Sequence, residues 1–274
     1  MFTKTVPSAK ECDRKIGASA CAFMIEEYGK GARNERALLL KIRDAGFQYV
    51  DLAFRETRLR ETPFSPTINE ADLHGLKVGC VALRLEGWGS APIFSTYMDS
   101  ARRPSIEEKI RDMGALGTSA VYMVPPKPPI KMEAFADFMK FLADACQEEA
   151  IRFCIEPMPG TVLSNDRDNL RFVREASHPN LFVLIDNGHS LLAGEDPVES
   201  ISAAGNNLGY IQVDDTNGKT HSHLPLYDGV LTRQQLALFM SKLVEVGYEG
   251  SVGIEIPGLE NMTTASKELL NWTC

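Results

Sequence analysis

The amino-acid sequence predicts an α/β fold and, within that class, a closed (β/α)8 TIM barrel formed by a single domain over residues 1–274. Short β-rich segments alternate eight times with longer segments of helical periodicity, which is typical of a parallel sheet. Eight units in 274 residues give about 34 residues each, a usual size for this barrel. The alternative, a doubly wound open sheet, would usually show a GxGxxG turn after the first strand, and the sequence has none there.

The eight predicted strands are short segments rich in apolar residues. In chain order they span Lys15–Phe23, Tyr49–Phe54, Lys77–Leu85, Ser119–Val124, Ile151–Met158, Leu181–Asp186, Leu208–Asp214 and Ser251–Ile256. No linker or low-complexity segment interrupts the alternation, and this predicts one domain.

The predicted helices combine apolar residues at helical spacing with residues that favour helix ends. They span Asn34–Ala45, Ser105–Leu116, Met132–Ala150, Asp166–Ala176 and Arg233–Val246. Gly46, Gly117 and Gly247 follow three of these segments, as glycine commonly does at a helix C-terminus. Thr232 is expected to cap the last helix.

Composition narrows the classes of partner. The formal net charge is −8, which argues against a nucleic-acid partner because phosphates need a basic surface. The sequence has no apolar segment long enough for a membrane span and no apolar region typical of a secretory signal near its start. Six cysteines form no C-x-x-C pair, so we expect reduced core thiols and a cytoplasmic protein.

Four polar residues stand late in consecutive apolar strands, namely Glu156, Asp186, Gln212 and Glu255. Barrel active sites lie at the C-terminal ends of the strands, so these side chains are expected to converge there. Unpaired carboxylates packed together are costly, and a divalent cation relieves that cost. Oxygen ligands suit Mg²⁺ or Mn²⁺ best, with Co²⁺ and Zn²⁺ as alternatives. A single acid at a strand end is most often a helix cap or a surface ion pair, but four oxygen-bearing side chains in consecutive strands, three of them carboxylates, predict one metal site.

The same segments resemble the xylose isomerase-like TIM-barrel family of sugar isomerases and epimerases. The matching segments are IEPMPG (155–160), IDNGHSLLAGEDP (185–197), YIQVDDTNGKTHSHLPLYDG (210–229) and GIEIPG (253–258). In the first half only GFQYVDLAF (46–54) is similar, with Asp51 where a glutamate is common. The resemblance implies a metal held by the four residues at the ends of strands five to eight.

The amide of Gln212 distinguishes this chain from many family members, which carry histidine on strand seven. The resemblance implies that Gln212 is a neutral metal ligand, as in hydroxypyruvate isomerases and 3-dehydroshikimate dehydratases. The related AP endonucleases use three zinc ions and histidines from the early strands. None of the five histidines of this chain follows strand three or four, so a DNA-repair role is not expected.

Proton transfer next to a carbonyl is the chemistry that the resemblance implies, with Glu156 and Glu255 as acid and base on either side of the substrate. This predicts a metal-dependent isomerase or epimerase that acts on a small ketose or keto-acid sugar through an enediolate. The alternative is a metal-dependent dehydratase of the 3-dehydroshikimate or inosose type, in which a β-hydroxyl leaves as water. A non-catalytic sugar-binding barrel is a third hypothesis, and retention of both glutamates argues against it.

Four further residues are predicted to bind the substrate, namely His189, His223, Arg84 and Lys219. The resemblance implies that His189, three residues after Asp186, contacts substrate or a metal ligand. His223 would contact substrate or orient a metal ligand. Arg84 follows strand three, and Lys219 could bind a carboxylate or phosphate, although a solvated lysine is the simpler interpretation.

Other polar residues near the strand ends have weaker assignments. Glu86, Trp88 and Lys127 could line the pocket. His221 is expected to be solvated, and the two acids at 214 and 215 are expected to order the loop after strand seven. The resemblance also implies a possible homo-oligomer.

Overall fold

The computed structural model describes residues 15–19, 32–55, 70–84, 95, 98 and 100–271. Eight parallel strands form a closed barrel in chain order, and the first strand pairs with the last. Helices alternate with the strands along the described chain. The predicted fold class, a (β/α)8 barrel, is therefore confirmed.

Most of the eight observed strands are shorter than the segments predicted for them. They are β1 (Ile16–Ser19), β2 (Tyr49–Arg55), β3 (Lys77–Arg84), β4 (Ala120–Met123), β5 (Arg152–Ile155), β6 (Leu181–Asp186), β7 (Leu208–Val213) and β8 (Val252–Ile254). Within the described residues, the predictions for β4, β5, β7 and β8 extend past the C-terminal end of the observed strand. Residues 20–23 and 85 of the predicted strands lie outside the described residues.

Eight α-helices are present among the described residues. They are α1 (Ala32–Asp44), α2 (Arg103–Ala115), α3 (Met132–Glu148), α4 (Asp166–Ala176), α5 (Asn187–Leu192), α6 (Pro197–Ala204), α7 (Arg233–Glu245) and α8 (Leu259–Asn271). The five predicted helices are confirmed with shifts of one or two residues at most ends. Thr232 caps α7 as predicted, in a capping box with Gln235.

The core lies inside the barrel and between the barrel and its helices. Strand β7 is buried at every position, and α3 packs its apolar face inward through Phe135, Phe138 and Leu142. Cys80, Cys146 and Cys154 are buried free thiols, as predicted, and the other three cysteines lie outside the described residues. In the described part of the chain, no helix has both the length and the apolar character needed to cross a membrane.

A buried carboxylate, Asp51 on β2, lies inside the barrel. The Tyr210 hydroxyl lies 2.7 Å from both carboxylate oxygens and donates to them, and the Cys80 N–H donates at 3.0 Å. Two glycines on other strands make the space: a Cβ on Gly253 would lie 2.1 Å from Asp51 Oδ2, and one on Gly79 would lie 2.8 Å from Oδ1. Burial raises the pKa of Asp51 from 3.8 to about 7, and the Tyr210 hydrogen bond opposes that rise.

Replacement of Asp51 by asparagine should make the protein less sensitive to pH. The folded state keeps a proton on Asp51 that the unfolded chain loses near pH 4, so this group destabilises the fold progressively from about pH 4 to about pH 7. The free energy of unfolding of Asp51→Asn, relative to wild type, should therefore rise by on the order of 3 kcal/mol between pH 5 and pH 8. Urea unfolding at several pH values measures this difference.

The exposed acid Asp137 provides the matched control, since Asp137→Asn removes a carboxylate from the surface of α3. Its unfolding free energy should follow wild type at every pH. A pH profile of Asp51→Asn that runs parallel to wild type would show that Asp51 titrates as an ordinary carboxylate.

Candidate metal and substrate site

Strand register brings the four predicted ligands to one end of the barrel. Asp186 at the end of β6 pairs with Gln212 on β7, and Gln212 pairs with Gly253 on β8, two residues before Glu255. Glu156 directly follows β5, and its N–H donates to the carbonyl oxygen of Met123 on β4. All four side chains are buried, with 3% exposure or less. The site is thus formed by four neighbouring strands at their C-terminal ends.

Three of the four predicted ligands have a buried oxygen that accepts no hydrogen bond within the described residues: Asp186 Oδ2, Gln212 Oε1 and Glu255 Oε2. Asp214 Oδ1, close to Asp186, is a fourth such oxygen. A buried acceptor without a partner costs roughly 1–3 kcal/mol. The amide nitrogen of Gln212 donates to the Tyr122 hydroxyl at 3.4 Å, and this leaves the amide oxygen for another partner. A divalent cation with oxygen ligands would satisfy all three atoms, so the donors fit Mg²⁺ or Mn²⁺ chemistry.

The carboxylates also repel one another. Burial raises the pKa of Glu156 well above its ordinary value, and the charges of Glu255 and Asp186 raise it further. Burial likewise raises the pKa of Glu255 to about 6, with Asp186 adding to the rise and His223 opposing it. A cation bound among these groups would favour their charged forms.

Close groupings of potential ligand atoms occur at three places among the described residues. Within each, all ligand atoms lie within 4.8 Å of one another. The groups are Glu156, Asp186 and His189; Asp186, Asp214 and His223; and His189, His221 and His223. Glu255 shares the cavity with these residues but belongs to none of the three groups. Of the predicted carboxylate ligands, only Glu156 and Asp186 are therefore in a close group.

His189 is held by both of these carboxylates. Its N–H donates to Asp186 Oδ1 at 2.9 Å, which caps the N-terminus of α5. Its ring Nδ1 lies 3.1 Å from the Pro157 carbonyl oxygen and 3.2 Å from Glu156 Oε1. Burial lowers the pKa of His189, which favours the neutral ring. The Nε2 atom has no hydrogen-bond partner among the described residues, and the side chain lines the cavity.

His223 is paired with Asp214, a residue that sequence reasoning assigned only to loop ordering. Its Nδ1 lies 2.5 Å from Asp214 Oδ2. Asn187 holds the backbone of Asp214 from both sides, with hydrogen bonds of 2.9 Å to its N–H and its carbonyl oxygen. Asp214 therefore orients an imidazole at the cavity. The sequence signal was an acid one position beyond a buried strand, and it was not specific enough to identify this role.

A cavity of about 430 Å³ opens above these residues. Its lining among the described residues comprises Arg84, Val124, Pro125, Lys127, Glu156, Met158, Thr161, His189, His221, His223 and Glu255. Three of the four predicted substrate-binding residues thus line it. The exception is Lys219, which is exposed and lies outside this set. Glu86 and Trp88 lie outside the described residues.

His221 belongs to the cavity although it was expected to be a solvated loop residue. It is exposed on one side, but its ring centroid lies 4.8 Å from that of His189 and 4.6 Å from that of His223. Burial of its inner side lowers the pKa of His221 to about 4, and the neighbouring histidines lower it further. The three imidazoles therefore form a continuous wall.

Asp215 fixes the loop that carries His221 and His223. Its carboxylate accepts the N–H groups of Thr216, Gly229 and Leu231 at 2.7, 2.8 and 2.9 Å. Its backbone also exchanges two hydrogen bonds with Leu224, the residue after His223. The expectation that this acid orders the loop agrees with these contacts.

A second anchor holds the same loop to the outer helices. Tyr227 has a φ of 74°, a conformation that bulky residues rarely adopt. Its hydroxyl donates to Glu268 of α8 at 2.8 Å, and the Arg233 guanidinium lies 4.5 Å from its ring centroid. These contacts offset the backbone strain and tie the loop to α7 and α8.

A closed barrel with buried oxygen donors and a cavity at the strand ends defines an α/β-barrel protein with a candidate metal and small-molecule site. The chain belongs to the family of xylose isomerase-like TIM barrels, whose model matches residues 39–274. No curated protein sequence matches the chain significantly.

Solved structures with the same fold share little sequence with the chain. A xylose isomerase-like TIM barrel/4-hydroxyphenylpyruvate dioxygenase fusion protein has a TM-score of 0.71 at 18% identity, and the match covers 94% of this chain and 42% of that one. A D-tagatose 3-epimerase-like protein has a TM-score of 0.71 at 18% identity, over 94% and 96%. An AP endonuclease of family 2 from Brucella melitensis has a TM-score of 0.68 at 20% identity, over 92% and 97%. At such identities the likeness concerns the fold.

Replacement of Asp215 by asparagine should loosen the histidine loop. The amide offers one acceptor oxygen where the carboxylate has two, so either the N–H of Gly229 or that of the buried Leu231 loses its partner. We expect a loss of roughly 1–3 kcal/mol in the free energy of unfolding. Hydrogen exchange of these two amides, followed by NMR, should become faster.

Asp228→Asn is the matched control because Asp228 is an exposed acid of the same loop. In this variant, the amides of Gly229 and Leu231 should exchange at the same rate as in wild type. Unchanged protection of Gly229 and Leu231 in Asp215→Asn would mean that other contacts hold the loop.

Proposed function

We propose that the protein is a divalent-metal-dependent isomerase or epimerase of a small ketose or keto-acid sugar. The observation that carries the proposal is the set of three buried oxygens on Asp186, Gln212 and Glu255, beside a cavity of about 430 Å³, that accept no hydrogen bond from the described part of the chain. Membership in a family of xylose isomerase-like barrels supports it. So does the fold shared with a D-tagatose 3-epimerase-like protein.

Glu156, Asp186, Gln212 and Glu255 would hold the metal ion. When bound, such a cation polarises a carbonyl as a Lewis acid and stabilises negative charge on its oxygen. The amide of Gln212 contributes an oxygen without charge, so the site would carry three carboxylates. Tyr122 would keep that amide in the orientation that presents its oxygen.

Proton transfer falls to Glu156 and Glu255. Both are buried and both line the cavity, so each carboxylate faces the space in which a substrate would lie. His189, 3.2 Å from Glu156, would hold that carboxylate in position. The Nε2 atom of His189 would donate to or accept from a substrate hydroxyl.

A small molecule is the proposed substrate rather than nucleic acid. The formal net charge of −8 disfavours binding of a phosphate backbone. The cavity volume of about 430 Å³ is in the range of small-ligand pockets.

Metal binding should depend on Asp186. Asp186→Asn removes a charge and a ligand oxygen, but its remaining oxygen can still accept the His189 N–H. We expect Mn²⁺ at about 100 times its Kd to stabilise wild type by about 2.7 kcal/mol. The variant should show little stabilisation at the same Mn²⁺ concentration. Both proteins are first freed of metal with a chelator, which is then removed, and their thermal unfolding is compared with and without added Mn²⁺.

Asp166→Asn is the control for the loss of a buried acid, since Asp166 bonds Ser190 at 2.6 Å and is not among the proposed ligands. It should retain the full response to Mn²⁺. Equal responses in Asp186→Asn and Asp166→Asn would contradict the proposed ligand set.

Catalysis should depend on Glu156. With Mn²⁺ present, wild type in D₂O should place deuterium next to the carbonyl of at least one sugar in a panel of ketoses and keto-acid sugars. Glu156→Gln should slow this exchange by about 10²–10⁴, the usual contribution of a positioned base. NMR of the recovered sugar gives the rate.

The product separates the three hypotheses. Recovered isomer or epimer with deuterium supports the proposal. Loss of water to an unsaturated product would indicate the dehydratase instead. Ligand-induced stabilisation without exchange across a panel of keto sugars and keto acids would indicate a binding protein.

A further inference from the structure

The described residues around the cavity are divided by charge according to strand position. Two fixed cations line it, Arg84 at the end of β3 and Lys127 shortly after β4. The carboxylates and imidazoles come from the ends of β5 to β8. In a closed barrel of eight strands in chain order, β3 lies across from β7 and β4 across from β8. The cations therefore lie across the cavity from the loop after β7 and from Glu255 after β8, whereas Glu156, which follows β5, is next to β4.

The three imidazoles that line the cavity are hydrogen-bonding groups, and His223 is already paired with Asp214. Among the described residues of the lining, Arg84 and Lys127 are the two lysine or arginine side chains.

We propose that the substrate carries an oxyanion, and that Arg84 and Lys127 bind it. This proposal rests on the proposed function, which places the reacting carbon beside Glu156 and Glu255. Arginine binds carboxylate or phosphate through paired hydrogen bonds, and lysine adds a point charge. The substrate class is then a sugar acid or a sugar phosphate rather than a neutral ketose.

Three probes with one carbon skeleton test this proposal: D-fructose, D-fructuronate and D-fructose 6-phosphate. They differ at carbon 6, which is a hydroxymethyl, a carboxylate or a phosphate ester. Affinity is measured by calorimetric titration of the Mn²⁺-loaded protein, so the result does not depend on turnover. At least one of the two anions should bind at least tenfold more tightly than D-fructose, and the better of the two identifies the oxyanion. Its preference should fall at high salt because screening weakens charge pairing.

Substitutions of Arg84 and Lys127 test whether these two cations cause the preference for an anionic probe over D-fructose. Arg84→Gln should reduce the ratio of anion to D-fructose affinity about tenfold to 100-fold, and Arg84→Lys should restore part of it. Lys127→Gln should reduce it by a smaller factor, and because Lys127 is exposed this variant does not endanger the fold. Lys131→Gln, an exposed lysine outside the lining, should leave the ratio unchanged.

Three outcomes would overturn the proposal. The first is that D-fructose binds as tightly as the two anions or more tightly. The second is that Arg84→Gln and Lys127→Gln lower the affinity for all three probes by the same factor. The third is that no probe binds. If an anion binds preferentially but no deuterium exchange occurs, the recognition of the oxyanion stands and the proposed reaction fails. If D-fructose exchanges deuterium efficiently and binds best, the reaction stands and the oxyanion proposal fails.

Discussion

The energetic cost of burying several carboxylates at one end of the barrel governs the rest of the site. Glu156, Asp186 and Glu255 are almost fully enclosed, and an acid in such surroundings either stays protonated or finds a positive partner. The fold supplies partial partners, such as the His189 N–H on Asp186, but one oxygen each on Asp186 and Glu255 receives no hydrogen bond from the described residues. Burial of these carboxylates without partners destabilises the fold, and a cation bound by their oxygens would offset this destabilisation.

The barrel makes the arrangement rigid. Parallel pairing fixes Asp186 beside Gln212, so the position of the donors follows from backbone hydrogen bonds rather than from flexible loops. The imidazoles come from less regular segments, and separate contacts hold them: Asp186 caps the helix of His189, and Asp215 secures the loop of His223. Each functional side chain is thus positioned by a buried acid or by the sheet itself.

The sequence was sufficient for the barrel and for the four strand-end donors, because alternating segments and polar residues after apolar strands are local signals. It was not sufficient for contacts between distant segments. The pair of Asp214 with His223 and the inclusion of His221 in the cavity depend on how the loop after β7 folds back. The space for Asp51 depends on glycines of other strands, and the exclusion of Lys219 from the lining depends on the path of the same loop.

The most direct measurement is an anomalous difference map from a crystal of the protein grown with Mn²⁺. We expect one strong peak surrounded by side-chain oxygens of Glu156, Asp186, Gln212 and Glu255, with the amide oxygen of Gln212 facing the ion. The absence of a peak, or a single peak among the three histidines with the carboxylates uninvolved, would contradict it.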